Sequence, residues 1–417
     1  MVQEKKEIVI IGAGIAGLYA AYKIRMLYPV KKITILEANY KKDIGGRMGS
    51  RQFAGTTVVT GAGIGRKRKD KLLIKLLQSL NVPYSEFLSE HCYANTIESQ
   101  CNVKQTFLSL LATRRKNINE NNIKKTFKDF ALPILGQPAY DHFITCSGYS
   151  DYEEEDFHDT LYNYGFDDNY DNWTGLSISW LTLVNALIDK IGMENIHTNT
   201  EVIRIKEITN SEKTFVVFTA NKKVYRCNQI ILATTIDSLR KLLPREPIYR
   251  EIGGQPFIRV YGKFSKSSQP IIKEYVEKYT IVPGVLQKII PIDTEKGVYM
   301  IAYSDNAKAK WLQRYSENTE ENREKFSKLI RKSLGIGKEK EVKLNSIVSF
   351  YWKIGTHYYH PLNHEEYNNR KEFIKKAQNP KENIFVIGEA VSLNQGWVEG
   401  ALESVENITS HQLLFVE

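Results

Sequence analysis

The glycine-rich segment that starts at Glu7 constrains the fold of this chain more than any other feature. Its sequence, EIVIIGAGIAGLYAAYKI, predicts a short apolar strand from Ile8 to Ile11, a tight turn and then a helix. Gly12 permits the turn, Gly14 lets a pyrophosphate approach the backbone, and Gly17 lets the helix pack closely on the strand. Free N–H groups and the helix dipole favour an anion at the start of such a helix. The segment therefore predicts a dinucleotide site that includes Gly12, Gly14, Ile15, Ala16 and Gly17.

A second apolar strand, KITILEA, strengthens this prediction because it ends in Glu37, about twenty residues beyond the last glycine of the motif. A carboxylate at this point accepts hydrogen bonds from ribose hydroxyls and repels a 2′-phosphate, so FAD or NAD is favoured over NADP. We expect Glu37 and its neighbour Ala38 to belong to the cofactor site. The alternative is a glycine-rich turn in an unrelated α/β protein.

Composition indicates an ordinary globular protein, since 42% of the 417 residues are apolar and 25% are charged. This length suggests two or three domains. The four cysteines, Cys92, Cys101, Cys146 and Cys227, lack CxxC or metal-ligand spacing, which argues against a disulfide framework and against a metal site. No apolar stretch reaches membrane length, so we expect a cytoplasmic protein without a membrane span.

The net charge of +10 could support weak association with nucleic acid or an anionic membrane. Lysine and arginine are nevertheless spread along the whole chain, and only the run RKRKDK from Arg66 to Lys71 is dense. We interpret this run as the exposed start of a helix, because charge runs usually form solvated faces. Nucleic-acid binding is therefore not expected.

Two further motifs follow Glu37. The first, DIGGRMGS, contains Gly46, which opens the backbone, and Arg47, whose guanidinium suits a pyrophosphate. The second, TGAGI, ends at Ile64. The order of these motifs resembles the flavin-containing amine oxidases, which include monoamine, polyamine and L-amino-acid oxidases, histone lysine demethylases and protoporphyrinogen oxidase. The resemblance implies bound FAD, and it implies that the flavin ring lies beside Gly61, Ala62, Gly63 and Ile64.

The C-terminal region resembles the same family through the strand NIFVIG and the following GEAVSLNQGWVEGALES. The resemblance implies that Glu389 binds the ribityl chain and that a helix opening near Val398 points at N1 and the C2 carbonyl of the flavin. Such a helix N-terminus would stabilise the negative charge of a reduced flavin. The cofactor residues implied here are Gly388, Glu389, Trp397, Val398 and Ala401, and a strand around Val202 is implied to contact adenine. A simple amphipathic helix is the alternative for GWVEGALES.

These placements predict an α/β protein with a discontinuous, Rossmann-like FAD-binding domain and an α+β substrate domain with a mixed sheet. The FAD-binding domain is expected over 1–75, 175–255 and 376–417, and the substrate-binding domain over 76–174 and 256–375. In the latter, PFIRVYGKF and GVYMIAYS predict strands, and the segment from Glu317 to Leu334 predicts a helix.

Two aromatic side chains flank the flavin in amine-oxidising relatives, and Trp397 matches one of them. At the other position this chain has His357, followed by Tyr358. An imidazole titrates near neutral pH and could accept a proton, although a structural or surface histidine is the alternative.

Many relatives carry a lysine near flavin N5, and the matching residue here is Arg259. Arginine keeps the charge but does not easily lose its proton, so dehydrogenase-like behaviour is conceivable. Thr356 matches the cysteine that attaches FAD in monoamine oxidases, so we expect noncovalent FAD.

The acidic segment DYEEEDFHD, from Asp151 to Asp159, could attract cationic substrates if it lines the entrance. A solvated acidic loop is the alternative. The leading hypothesis is that a small-molecule amine, polyamine-like or amino-acid-like, loses a hydride to flavin N5, and that oxygen reoxidises the flavin. The alternatives are a dehydrogenase or desaturase of the protoporphyrinogen oxidase type, and a non-catalytic flavoprotein that binds a polyanion or protein. Substrate identity, the physiological acceptor and the oligomeric state are left open.

Overall fold

The computed structural model describes residues 7–116, 124–209 and 213–410. Within these residues the strands, in chain order, are β1 (Glu7–Ile11), β2 (Lys32–Leu36), β3 (Ser50–Phe53), β4 (Thr56–Val59), β5 (Gly65–Arg66), β6 (Tyr84–Ser89), β7 (His91–Tyr93), β8 (Trp173–Ile178), β9 (Ile196–His197), β10 (Val202–Thr209), β11 (Lys213–Thr219), β12 (Val224–Cys227), β13 (Gln229–Leu232), β14 (Ile252–Phe264), β15 (Tyr279–Ile281), β16 (Lys288–Asp293), β17 (Val298–Asp305), β18 (Leu344–Tyr359) and β19 (Ile384–Val386). The helices are α1 (Ile15–Leu27), α2 (Lys71–Ser79), α3 (Val103–Lys116), α4 (Phe127–Leu135), α5 (Gln137–Ser147), α6 (Phe157–Tyr162), α7 (Trp180–Ile191), α8 (Ile236–Leu242), α9 (Gln269–Tyr275), α10 (Asn306–Gln313), α11 (Glu320–Leu334), α12 (Arg370–Gln378) and α13 (Val398–Ser410).

Five parallel strands in the order β19-β13-β1-β2-β9 form the sheet that holds the glycine-rich turn. Both faces of this sheet are buried, because alternate residues of β1 enter different cores. Ile8 and Ile10 pack with α1, α2, α7 and α13, whereas Val9 and Ile11 pack with α8, α12 and the antiparallel sheet β10-β11-β12. Strands buried on both faces are nearly continuous apolar runs, as EIVII is.

The parallel sheet collects its strands from widely separated parts of the chain, and the mixture of parallel and antiparallel sheets confirms the predicted α/β class. The division into an FAD-binding and a substrate-binding domain stays a prediction. Of its predicted ranges, residues 1–6, 117–123, 210–212 and 411–417 lie outside the described residues.

A second sheet of six strands, in the order β18-β14-β17-β16-β15-β7, is antiparallel except where β15 pairs with β7. It contains the two predicted strands PFIRVYGKF and GVYMIAYS, and its core includes residues of α9, α10 and α11. The predicted helix after Glu317 is α11, which begins at Glu320. In the β14–β18 ladder, Gly254 pairs with His357 and Arg259 pairs with Phe350. This ladder therefore carries two of the predicted site residues.

Helices α3 to α6 form a third core that is rich in aromatic rings. A disulfide bond joins Cys101, just before α3, to Cys146 near the end of α5. The argument from spacing against a disulfide framework is therefore wrong for this pair, because chain folding brings together two residues that are 45 positions apart. Cys92 and Cys227 are free thiols. Among the described residues, none of the helices has the length and apolar character that crossing a membrane requires.

Candidate active site

One cavity of about 1140 Å³ extends from the carboxyl ends of the parallel strands to the six-stranded sheet. Its lining includes Gly12, Glu37, Ala233 and Gly388, which lie just beyond the ends of β1, β2, β13 and β19. Ligands of open α/β sheets bind at this edge. Small-molecule sites usually measure about 300–1,000 Å³, so the cavity has room for a dinucleotide and a small second molecule.

The predicted cofactor residues converge on this cavity. All of them except Gly17 line it, namely Gly12, Gly14, Ile15, Ala16, Glu37, Ala38, Gly46, Arg47, Gly61, Ala62, Gly63, Ile64, Val202, Gly388, Glu389, Trp397, Val398 and Ala401. A Cβ on Gly17 would lie 2.0 Å from the carbonyl oxygen of Gly12, so this glycine serves the predicted packing of helix on strand. Sequence motifs from both ends of the chain thus surround one space.

The turn before α1 forms an open cradle. Gly14 precedes the helix, and no side chain caps the helix N-terminus. A Cβ on Gly14 would meet nothing within 4 Å, so the first-turn N–H groups border free space. Gly12 has a φ of +108°, and a Cβ there would lie 2.3 Å from the carbonyl oxygen of Ala233. Only glycine fits that turn.

The GGR loop docks onto this turn. The Gly45 N–H donates to the carbonyl of Ala13 at 2.9 Å, and a Cβ on Gly46 would lie 3.7 Å from Cα of Gly14. The next residue, Arg47, donates from Nη1 to the carbonyl of Gly355 at 2.7 Å and to Oε1 of Glu389 at 2.8 Å. The two glycine motifs therefore form one continuous wall.

Glu37 is held at the end of β2 by the N–H groups of Ala13, at 2.7 Å, and Asn39, at 2.8 Å. An ionised carboxylate has about four lone-pair positions. Nδ2 of Asn39 also donates to Oε1 at 2.9 Å, so Glu37 keeps about one acceptor position for a ribose hydroxyl. Together with the glycine cradle, this donor and acceptor set fits the adenosine and pyrophosphate parts of a dinucleotide.

His357 lies in the cavity wall, with 3% of its surface exposed. Its Nε2 accepts the N–H of Ile236 at 3.1 Å, and its Nδ1 donates to Oε1 of Glu389. Both ring nitrogens are therefore occupied, and the predicted role of His357 as a proton acceptor does not fit this geometry. It is a buried histidine that positions Glu389.

The hydrogen bonds of His357 and Arg47 act on Glu389 together with the N–H of Gly396, which donates at 3.0 Å. Burial raises the pKa of the Glu389 carboxyl, but His357, Arg47 and Gly396 outweigh that effect and hold the pKa well below its ordinary value. Glu389 is therefore a fixed carboxylate in the wall of the cavity.

Tyr358 does not line the large cavity. Its ring packs against Gly253, where a Cβ would lie 2.2 Å from Cζ of the tyrosine, and its outer edge contacts His360. Strand alternation explains this, since neighbouring residues of β18 point to opposite faces of the sheet. Tyr358 instead lines a small pocket beside the cavity, and a catalytic role for it stays a prediction.

Trp397 lines the cavity with one face covered by Arg66, whose guanidinium carbon lies 3.7 Å from the ring centroid. Arg66 is 3% exposed and pairs with Asp70 at 2.7 Å and with Asp168 at 3.1 Å. The prediction of an exposed basic run is therefore wrong at Arg66, because β5 points it inward. The arginine fixes the plane of the indole ring.

Arg259 lines the cavity and is 7% exposed. A Cβ on Gly63 would lie 2.9 Å from its Nη2, so the guanidinium borders the segment that is predicted to run beside the flavin. It stacks on Tyr303 at 4.2 Å and forms no ion pair with a carboxylate among the described residues. Burial lowers the pKa of Arg259, but the nearby tyrosines, Tyr303 foremost, raise it above the ordinary value. Arg259 is thus a permanent cation in the wall.

The sequence does not predict the individual residues that line the end of the cavity beyond Arg259. Its wall includes Tyr149, Asp151, Tyr164 and Tyr303. The acidic run pointed to this region, because it begins at Asp151. No sequence signal indicates the tyrosines, which come from separate parts of the chain.

Three further acids of this run are not solvated. Glu155, Asp156 and Asp159 are buried, and Arg370 pairs with the two aspartates at 3.4 and 2.6 Å. The solvated-loop alternative is therefore wrong for these three residues.

Known proteins resemble this chain over nearly its whole length. The model of the family described as flavin containing amine oxidoreductase matches residues 15–407. An uncharacterised protein of Acanthamoeba polyphaga mimivirus is 20% identical over 486 aligned positions, which cover 96% of this chain and 92% of that protein. A solved structure from Exiguobacterium sp. 255-15, named provisionally as a protoporphyrinogen oxidase, has a TM-score of 0.70 at 15% identity and covers 99% of each chain. At this identity, the solved structure supports the fold alone.

Proposed function

The chain belongs to the flavin-containing amine oxidoreductase family, and from this premise we propose that it binds FAD noncovalently and oxidises a small-molecule amine. One observation carries the proposal. A single cavity holds the dinucleotide cradle at one end and, at the other, a wall of aromatic rings and acidic side chains that includes Asp151. Aromatic faces and a carboxylate are suited to a cationic amine.

Different residues of the cavity wall would bind different parts of the cofactor. The N-terminus of α1 and the remaining donors of Arg47 would bind the pyrophosphate, Glu37 would bind the ribose, and Val202 would lie against adenine. Glu389 would bind the ribityl chain. Thr356 offers no thiol for a thioether bond, which supports noncovalent binding. Bound FAD supplies an acceptor for two electrons.

The aromatic end of the cavity would hold the substrate. Trp397, fixed in plane by Arg66, presents its uncovered face to the amine. The rings of Tyr149 and Tyr303 lie edge to face, with centroids 5.9 Å apart, and would exclude water from the reacting carbon. We propose oxygen as the final acceptor, which would yield hydrogen peroxide.

A test begins with the purified protein under anaerobic conditions. It is mixed with amines, polyamines and amino acids while the flavin absorbance is followed. Bleaching by at least one amine, followed by peroxide formation when air is admitted, is the expected result. A flavin-loaded protein that no amine bleaches would contradict the proposal.

One observation favours a second candidate, a dehydrogenase or desaturase. Arg259 is a buried cation without a carboxylate partner among the described residues, so it could pair with an anionic substrate group. The similar solved structure is named provisionally as a protoporphyrinogen oxidase. Bleaching by a reduced porphyrin and not by amines would favour this candidate.

A further inference from the structure

Asp151 is a carboxylic acid in the wall of the substrate end of the cavity. It follows α5 by four residues, and its Oδ1 accepts the hydroxyl hydrogen of Tyr164 at 2.7 Å. Among the described residues, no cation lies close enough to form an ion pair with it. It is therefore an acceptor group that faces the space where an amine would bind.

A small polar pocket of about 30 Å³ adjoins the large cavity, and both Asp151 and Tyr164 line the two spaces. Glu155 and Asn163 also line the small pocket. Gln395 lines it too, and its Oε1 is a buried acceptor without a donor among the described residues. A buried water needs roughly 10–15 Å³ of such space and two to four polar partners. The pocket has the size and the polar groups for about two waters.

The charges around Asp151 come from several elements. Asp305, at the end of β17, is held by the N–H of Ser150 at 2.8 Å and by Gln287 at 3.1 Å. Lys288, in β16, is fully buried, and its Nζ lies 2.9 Å from the ring centroid of Tyr149. Tyr149 lines the cavity and Lys288 does not, so the tyrosine ring separates the lysine from the cavity. Burial and the charge of Asp305 raise the pKa of Asp151 to about 7, whereas Tyr164 and Lys288 act in the opposite direction.

The neighbouring acid behaves differently. Burial, with Asp159 and Asp151 nearby, raises the pKa of Glu155 well above its ordinary value, and its Oε2 accepts the hydroxyl of Thr160 at 2.9 Å. Burial therefore favours the protonated form of Glu155, which lines the small pocket but not the large cavity, whereas Asp151 lines both spaces. Of these two acids, Asp151 is the one suited to take up a proton.

We propose that Asp151 is the proton acceptor for the substrate ammonium, and that water in the small polar pocket carries the proton away. This inference rests on the proposed amine oxidation. An N–H bond of the ammonium breaks and an O–H bond forms on the Asp151 carboxylate. The neutral amine would then have the lone pair that supports loss of a hydride from its α-carbon to bound FAD. The products are an iminium ion, protonated Asp151 and the two-electron-reduced cofactor, so atoms and charge balance.

The other titratable groups near the substrate end fit this role less well. His357 has both nitrogens occupied, Arg259 keeps its proton, and Lys288 lies behind Tyr149. His91 also lines the cavity, but its Nε2 is hydrogen-bonded to Tyr93 at 3.1 Å. Because His91 is a titratable group in the cavity wall, it is nevertheless the alternative acceptor that the test must include.

The test compares Asp151→Asn with Glu154→Gln, a matched control in an exposed residue of the same acidic run. Anaerobic reduction of the FAD-loaded protein by a saturating amine is followed across pH. In the unsubstituted protein the rate constant should rise with pH through about 7. Asp151→Asn should lose this rise and slow reduction by about 10²-fold or more, as for other general bases. Asp151→Glu should restore part of the rate, and Glu154→Gln should behave as the unsubstituted protein.

Two further variants and one spectroscopic readout complete the test. Tyr164→Phe should move the rise to higher pH, because the tyrosine hydrogen bond lowers the pKa of Asp151. Infrared difference spectra without substrate should show a carboxyl that titrates near pH 7 and disappears in Asp151→Asn. FAD content and thermal melting check that each variant folds.

The outcomes separate the inference from the proposed function. If amines reduce the flavin equally fast in Asp151→Asn, or if His91→Gln removes the rise instead, the role of Asp151 is overturned while amine oxidation stands. If no amine reduces the flavin of the unsubstituted protein, the proposed function fails and the role of Asp151 fails with it.

Discussion

His357 and Glu389 form a buried hydrogen-bonded pair where β18 meets the segment after β19. The other nitrogen of His357 accepts the N–H of Ile236 at the start of α8. One imidazole thus connects the six-stranded sheet to two loops at the edge of the parallel sheet. This makes His357 a positioning residue for the carboxylate of Glu389, which we assign to the cofactor-binding site.

We predict that His357→Ala lowers both stability and FAD affinity. The substitution leaves the Ile236 N–H without an acceptor and removes a donor from Glu389, and each buried group left unsatisfied costs about 1–3 kcal/mol. Denaturant unfolding should therefore show a loss of about 2 kcal/mol or more. His364→Ala, at a position outside the cavity, is the control and should change neither property. Normal stability and FAD content in His357→Ala would contradict this role.

Glu389 should make stability depend on pH in the acidic range. Its pKa in the folded protein lies below the ordinary value of about 4.3, so folding favours the ionised form. This contribution is present above about pH 4.3 and is lost as the pH falls towards the folded-state pKa. The free energy of unfolding should fall less on acidification across this range in Glu389→Gln than in the unsubstituted protein. An equal fall of the unfolding free energy in both proteins would argue against a lowered pKa of Glu389.

Asp151 should have the opposite effect near neutral pH. Its pKa is raised to about 7, so its contribution to stability is present below the unfolded pKa and is lost as the pH rises through about 7. Asp151→Asn cannot ionise and should be more stable than the unsubstituted protein at about pH 8, but not near pH 4. Thermal melting at the two pH values checks this, with Glu154→Gln as the control. If Asp151→Asn raised the melting temperature equally at the two pH values, the raised pKa of Asp151 would be contradicted.

Two glycines of the first motif should respond differently to alanine. A Cβ on Gly17 would collide with the carbonyl oxygen of Gly12 at 2.0 Å, so Gly17→Ala should destabilise the fold itself. A Cβ on Gly14 meets nothing within 4 Å but enters the space assigned to the pyrophosphate. Gly14→Ala should keep the melting temperature of the flavin-free protein and weaken FAD binding at least tenfold, about 1.4 kcal/mol. Tight FAD binding by Gly14→Ala would exclude the proposed phosphate position.

The parts of this architecture that are encoded locally could be predicted from the sequence. The strand, turn and helix from Glu7 to Leu27 follow from glycine spacing and apolar periodicity within one short segment. The same holds for Glu37 at the end of β2, since strand ends converge at one edge of a parallel sheet.

Features that depend on long-range packing could not be predicted. Arg66 lies in a basic run that looks exposed, yet Asp168 and Trp397, far away in the sequence, make its burial favourable. The exposure of Asp151 to the cavity depends on how the segment after α5 packs against β16 and β17, which no periodicity encodes. The same reason explains the unexpected disulfide between Cys101 and Cys146.

The most direct test of the central claim is the flavin content of the purified chain. The two terminal motifs are proposed to share one FAD, so the protein should be yellow or take up added FAD to one equivalent per chain. Denaturation should release intact FAD, because Thr356 provides no thioether. A colourless chain that binds no added FAD, or a flavin that stays attached after denaturation, would contradict the account.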